Sequence, residues 1–231
     1  MIFGKEDIVI TVGRDGLVAN VMKYLDGQPL IGVNPDTKRW DGILLSFEPE
    51  DLKAVLDKGI KNGFNAKGIT MAKATAKNGQ CLYAVNDLFI GAKTHVSARY
   101  ELNFNHRKEN QSSSGIIVST GLGSTGWYKS VMTQAMGIGA FYGTGNFAYK
   151  SLDWGDNSLV YTVREPFPTK FTGTSLIYGI IGTKDTFNVT SKMAENGIVF
   201  SDGMEADFLT FNAGEQINVC VAEKIGHLVE K

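Results

Sequence analysis

Over the first sixty positions, runs of apolar, β-branched residues alternate with stretches where apolar positions return every three or four residues. Beyond them nearly every apolar segment is short and strand-like. Asp7-Ile8-Val9-Ile10-Thr11-Val12 is almost continuously apolar, which predicts a parallel strand covered on both faces. Gly13-Arg14-Asp15-Gly16 follows, and then Leu17, Val18, Val21, Met22 and Leu25 recur at helical spacing until Asp26-Gly27 stops the pattern. Pro29 to Asn34 reads as a second strand, so residues 7–33 form a βαβ crossover. Its Gly-Arg-Asp-Gly turn lies at the carboxyl end of the first strand, where open α/β sheets place their ligands. A polar loop covers Asn34–Gly42, and Pro49 to Lys58 predicts a surface helix with a proline and acids in its first turn.

Gly59–Gly68 is the best boundary. Past it, Ile69 to Ala76 and Cys81 to Val85 flank Asn78-Gly79, a pair suited to the type I′ turn of a hairpin. Leu88-Phe89-Ile90, Val96 to Phe104 and Ile116 to Val118 read as further strands, with a polar loop over 105–114. A glycine-rich turn then leads into a helix starting near Ser124, with apolar Trp127, Val131, Met132 and Ala135. Gly137 to Asn146 reads as a mobile glycine-rich loop. Six short strand candidates follow between Leu159 and Val221, at intervals that fit a β-sandwich. The expected fold is thus a small Rossmann-like α/β domain over 1–62, a β-sandwich-like domain over 63–222 and a C-terminal tail over 223–231.

Composition narrows the function classes. The 231 residues are 43% hydrophobic and 20% charged, as in ordinary globular proteins. A formal net charge of −1 argues against a strongly basic nucleic-acid surface. No apolar run is long enough to span a bilayer and the first residues lack a secretory signal, so no membrane association and a cytoplasmic location are expected. Cys81 and Cys220 sit in apolar runs without metal-ligand spacing and read as reduced core residues.

Four turns carry candidate residues. In Ser119-Thr120-Gly121-Leu122-Gly123-Ser124-Thr125-Gly126, glycines let a ligand approach the backbone, while Ser124 and Thr125 can cap the helix and point hydroxyls outward. Such helix starts bind anions, although glycines can equally serve only to shape a turn. Asp15 between glycines either caps the following helix or acts as a general base or phosphate-and-metal organiser. Asn86-Asp87 either closes an Asx turn or reads a sugar hydroxyl or base edge. Asp202-Gly203 forms a second Asp-Gly turn.

The order of these stretches resembles the NAD kinase family over nearly the whole chain. Asp7 to Gly16 resembles the family's strand followed by Gly-Gly-Asp-Gly, and Ile31-Gly32-Val33-Asn34 its next strand. Ala84-Val85-Asn86-Asp87 resembles the Asn-Glu/Asp motif, Ser119 to Trp127 the Ser-Thr-Pro-Thr-Gly-Ser-Thr-Ala-Tyr loop, and Ser201-Asp202-Gly203 the late Asp-Gly turn. The resemblance implies transfer of the terminal phosphate of ATP to the 2′-hydroxyl of NAD, usually with Mg2+. It implies Asp15 as catalytic residue, accepting the hydroxyl proton or organising the transfer. Binding residues would be Gly13, Arg14, Gly16, Asn34, Asn86, Asp87, Thr120, Gly121, Gly123, Ser124, Thr125, Asp202 and Gly203. That reading requires turns far apart in sequence to meet in one crevice.

Four departures fall within the motifs. Arg14 replaces the second glycine of the first motif, Leu17 its following Thr, Gly121-Leu122 a Pro-Thr pair, and Ser114 an Asp. They keep open a different acceptor, such as a sugar or another nucleotide, or a catalytically inactive nucleotide-binding protein. Only six residues precede Asp7 where the family carries further strand and helix units. The open sheet edge this implies, together with the family's habit, leads to the expectation of a homo-oligomer.

Overall fold

In the computed structural model, which describes residues 3–144 and 148–231, the chain divides into two units, Met1–Met71 with Glu223–Lys231, and Ala72–Ala222. Residues 223–228, within the stretch read as a tail, are paired or extended as the end of a long strand, Gln216–Val229. No described helix is long and apolar enough to cross a membrane.

The first unit is built on parallel pairing. Strand β1 (Val9–Val12) pairs in parallel with β2 (Pro29–Val33), with Val9 opposite Leu30 and Val12 opposite Val33, and helix α1 (Asp15–Met22) makes the crossover. On its other side β2 takes the last residues of the Gln216–Val229 strand, His227 opposite Pro29. The prediction that β1 is covered on both faces is corrected: Val9 and Thr11 are buried, whereas Ile10 and Val12 are exposed. An edge strand covered on one face buries alternate residues, even where its sequence is apolar throughout. After a single turn at Pro49–Asp51, helix α2 (Leu52–Asn62) continues past the predicted Lys58. Its Leu52, Val55 and Leu56 pack against buried Ile31, Val33, Phe47 and Val229.

The second unit holds two antiparallel layers. One sheet has the order β10 (Tyr178–Gly182), β9 (Ser158–Val163), β8 (Ile116–Ser119), β5 (Asp87–Ala92), β12 (Gly197–Ser201), β13 (Phe208–Thr210). In the other, the first residues of β14 (Gln216–Val229) pair with β11 (Phe187–Ser191), then β6 (Ala98–Phe104), then β7 (Arg107–Ser113). The hairpin of β3 (Ala66–Ala76) and β4 (Cys81–Ala84) is also present. Leu88, Ile90, Val118 and Tyr161 of the first layer and Tyr100, Leu102, Phe187 and Val219 of the second belong to one buried cluster. Removing that apolar surface from water is the main force holding the layers together.

Four local readings are corrected. Cys81 is exposed and Cys220 half-buried, so neither is the core residue its apolar run predicts. The Asn78-Gly79 turn is not type I′: the loop is Lys77-Asn78-Gly79, closed by Ala76 N–H to Gln80 O at 2.9 Å, and only Gly79 has positive φ, at 87°. That is the three-residue hairpin with glycine in the left-handed position. The polar stretch 105–114 is largely strand β7, paired with β6 from Phe104↔Arg107 to Ala98↔Ser113. Asn105 and His106, at φ 47° and 67°, supply the type I′ turn there. Finally, Gly137 to Tyr142 is not loop but the end of helix α3 (Trp127–Tyr142), closed by left-handed Gly143; residues 145 and 146 of that predicted loop lie outside the described residues.

Candidate functional site

Strand register gathers three of the motifs in the second unit. β5 begins at Asp87, opposite Ser119, the last residue of β8; one residue on, Leu88 lies opposite Ser201, the last residue of β12. Because β5 runs antiparallel to both neighbours, its start and their ends fall at one edge of the sheet. The turns at 85–87, 120–126 and 202–203 therefore meet there, although they are far apart in sequence.

Hydrogen bonds tie these turns together. Asp202 accepts three successive backbone N–H groups: Val85 at 3.1 Å through Oδ2, and Asn86 at 2.7 Å and Asp87 at 3.2 Å through Oδ1. Its own N–H donates to Asp87 O at 2.9 Å. Asp202 adopts φ 53° and Gly203 φ 71°, a pair of left-handed residues that turns the carboxylate back on the 85–87 segment. From the other side, the Thr120 hydroxyl donates to Val85 O at 2.6 Å and accepts the Gly123 N–H at 3.1 Å, while Thr120 N–H donates to Asn86 O at 2.9 Å. Gly123 lies so close that a Cβ there would sit 1.9 Å from Asn86 O, and one on Gly121 would sit 1.8 Å from Asp153 O.

The predicted roles of Ser124 and Thr125 are corrected. Ser124 is fully buried and its hydroxyl points inward, donating to Gly121 O at 2.7 Å and accepting Leu152 N–H at 3.1 Å. Thr125 donates to Leu122 O at 3.2 Å. Neither caps α3, whose N-cap is Gly126; a single 3-10 turn over Gly123–Thr125 comes between. Hydroxyls in such a turn satisfy the carbonyl three residues back instead of a helix N–H.

With the backbone so held, two side chains are left for other work. The Asn86 amide has no hydrogen-bond partner among the described residues, and neither it nor Asp87 closes an Asx turn. Asp87 is 8% exposed, and its carboxylate receives no hydrogen bond among the described residues. Burial first, and the neighbouring Asp202 charge second, push its pKa up to about 7. Both side chains line a cleft of about 350 Å³ with Leu122, Gly123, Thr125, Gly126, Trp127, Asp202 and Gly203. Trp127, read as a helix residue and as the end of the resembled loop, also lines this cleft; its ring is stacked on Phe89 at 5.6 Å and has the Arg164 guanidinium 5.2 Å from its centroid. The signal for it was its place directly after the last glycine of the turn.

The fourth motif lies in the first unit. Gly13 N–H donates to Val33 O at 3.1 Å, and Arg14 is the N-cap of α1, with no side-chain capping bond. Asp15 is thus not the cap: it is the first helical residue, half-buried, and its Oδ1 accepts the Leu44 N–H at 2.8 Å. A Cβ on Gly16 would meet nothing within 4 Å, so the protein's own packing does not account for that glycine. Asn34 is buried and occupied locally, donating to Trp40 O at 2.9 Å and accepting Asp36 N–H at 3.0 Å. Among the described residues no three His, Cys, Asp or Glu side chains cluster as a metal site.

No protein-family profile matches the chain. Among curated proteins it is similar to the NAD kinase of Sulfurisphaera tokodaii, 28% identical over 121 residues, which are 52% of this chain and 46% of that protein. The match therefore spans about half the length of that relative. Among solved structures it is similar to yeast NADH kinase complexed with NADH, with a TM-score of 0.74 at 15% identity over 97% of this chain and 62% of that one. That likeness shows a shared mixed α/β fold.

Proposed function

We infer that the chain is a divergent member of the NAD kinase family, and that it transfers the terminal phosphoryl group of ATP to the adenosine 2′-hydroxyl of NAD. The observation that carries this reading is the pair of unpartnered polar side chains, Asn86 and buried Asp87, on a backbone fixed by Asp202 and Thr120. Buried polar groups are nearly always hydrogen-bonded, so a carboxylate and an amide held rigidly without protein partners are built for the donors and acceptors of a ligand. A dinucleotide offers sugar hydroxyls to both. The bare backbone of Gly123 and Gly126 leaves room for the flat face of a base to approach the cleft.

In the transfer the acceptor oxygen bonds to the γ-phosphorus as the bond to the β,γ-bridging oxygen breaks, and ADP leaves. The role assigned to Asp15 is to take the hydroxyl proton; Leu44 N–H orients its carboxylate through one oxygen. A Mg2+ carried in on the donor would be held mainly by the donor's own phosphates, and the Asp15 oxygen that does not bind Leu44 N–H could join it. When bound, it would neutralise charge on the transferring oxygens. The exposed Ile10 and Val12 of edge strand β1 support the expected homo-oligomer, which sedimentation would test.

The test is direct. Purified protein with ATP, Mg2+ and NAD should form NADP, read by an NADP-specific dehydrogenase, and Asp15→Asn should lower kcat by about a hundredfold or more. Leu122 favours a second reading: it places an apolar side chain in the cleft wall where the resembled motif has a hydroxyl. Turnover of ATP with a sugar but not with NAD would move the acceptor to that class. Tight nucleotide binding without turnover would make the chain a binding protein.

A further inference from the structure

Helix α2 does more than cover the core of the first unit. Its Leu52, Val55 and Leu56 pack inward, while Asp51, Ala54, Val55, Lys58 and Asn62 recur at the spacing of one helix face and border a groove of about 420 Å³. The opposite bank is the end of β14 and the residues after it, Val229 to Lys231. The floor is apolar: Phe47 and Val229 are buried, and Val55 and Phe64 are half-buried beside them. Gly59 makes that floor possible, because a Cβ there would sit 2.0 Å from the Phe64 ring. Interior glycine weakens a helix, and here the close ring contact accounts for it.

The rim is polar, and its charges are unevenly placed. Asp51 and Lys231 pair at 2.8 Å and cancel. Lys58 is exposed, and its ammonium forms no ion pair or hydrogen bond among the described residues. One turn further along the same bank, the Asn62 amide is likewise without a partner among them. Glu230 is the acid left unpaired, and it belongs to the other bank. All of these residues lie in the first unit.

We propose that this groove binds an elongated aliphatic carboxylate, of the class of a medium-chain fatty acid. Its chain would lie along Phe47, Val55, Phe64 and Val229, and its head would meet Lys58 and Asn62. Small-molecule sites have this size and this make-up, an apolar lining with a few polar groups that fix orientation. The groove follows α2 for about 15 Å, from Asp51 to Asn62, which suits a narrow chain better than a compact ring. The unpaired ammonium of Lys58 selects a negative head, and Glu230 repels it from the opposite bank. None of these residues belongs to the turns assigned to phosphoryl transfer, so this site stands or falls apart from that reading.

The test is calorimetry of the full chain with hexanoate, octanoate and decanoate, and with decylamine and decanol. Affinity for the acids should rise about fourfold with each methylene buried, and decanoate should bind about tenfold more tightly than decanol or decylamine. Lys58→Gln should weaken decanoate about tenfold and leave decanol unchanged, the loss expected for one charged hydrogen-bonded contact. Ala54→Trp fills the groove from an exposed helical position and should abolish binding of all the ligands while the protein melts as the wild type does. Lys53→Gln removes a lysine from α2 outside the groove and should change nothing. Affinity that ignores chain length, decylamine binding as tightly as decanoate, unchanged decanoate binding in both Lys58→Gln and Ala54→Trp, or no binding of any acid by the wild type would each overturn the proposal.

Discussion

Asp202 need not touch a nucleotide to govern how one is bound. Its carboxylate gathers three consecutive N–H groups, so Asp202→Ala strands donors in the part-buried 85–87 turn. We expect a loss of about 2–4 kcal/mol in urea unfolding, with a smaller loss in Asp202→Asn, which keeps an acceptor oxygen. Removing the Asp202 charge should also lower the Asp87 pKa, though not to the ordinary carboxylate range, because burial is the larger cause. Carboxylate NMR titration would show both. Asp87 itself sets a pH dependence. Raised from 3.8 to about 7, it stays protonated in the folded chain while the unfolded chain ionises, so its stabilising contribution is full below pH 4 and is lost as pH rises to 7. About three units at 1.36 kcal/mol each put the ceiling at roughly 4 kcal/mol. Asp87→Asn should abolish that decline, seen as a urea midpoint independent of pH over this window. If Asp87 holds a ribose hydroxyl as a carboxylate, wild-type NAD affinity should rise as pH passes 7.

At the scale of elements, the glycine-rich turn is constrained by its neighbours as much as by any ligand. Gly123→Ala would force a methyl group to within 1.9 Å of a backbone carbonyl that cannot swing away, because Thr120 N–H already fixes it. The turn should shift and thermal stability fall by about 1–3 kcal/mol, with NAD binding weakened more than stability alone explains. The opposite sign is expected at the β6–β7 hairpin, where His106 occupies φ 67°. His106→Gly should raise the melting temperature slightly, by about 0.5–1 kcal/mol of stability, because glycine meets no steric penalty there. These two turns also mark where sequence reading worked and where it did not. Period and β-branching located nearly every strand, but β7 is polar because it is an edge strand, and an edge strand can be stable with little apolar character. The helical period of α3 was interrupted by Gly137 and Gly139, whose cost a helix can absorb; only the left-handed Gly143 ends it. Turn type was unreadable from Asn-Gly alone, since the three-residue loop depends on which residues pair across it.

At the scale of the whole molecule, motif order was enough to gather the turns at 85–87, 120–126 and 202–203, because antiparallel register around β5 brings strand starts and ends to one edge. Which side chains in those turns do structural work was not legible. The inward hydroxyl of Ser124, the carboxylate of Asp202 and the amide of Asn34 are spent on the backbone, and spacing carries no record of where a side chain points. The proposed function assigns NAD to these turns and ATP to the Gly-Arg-Asp-Gly turn, and hydrogen exchange tests each assignment separately. Exchange with saturating NAD should slow amides at 85–87, 120–126 and 202–203, whereas ATP alone should slow those at 13–16. At a hundredfold excess over its dissociation constant either ligand adds about 2.7 kcal/mol of stability, so global protection rises with both and only the local pattern discriminates. NAD protection confined to the first unit, or ATP protection centred on the cleft of Asn86 and Trp127, would reverse the assignment of acceptor and donor.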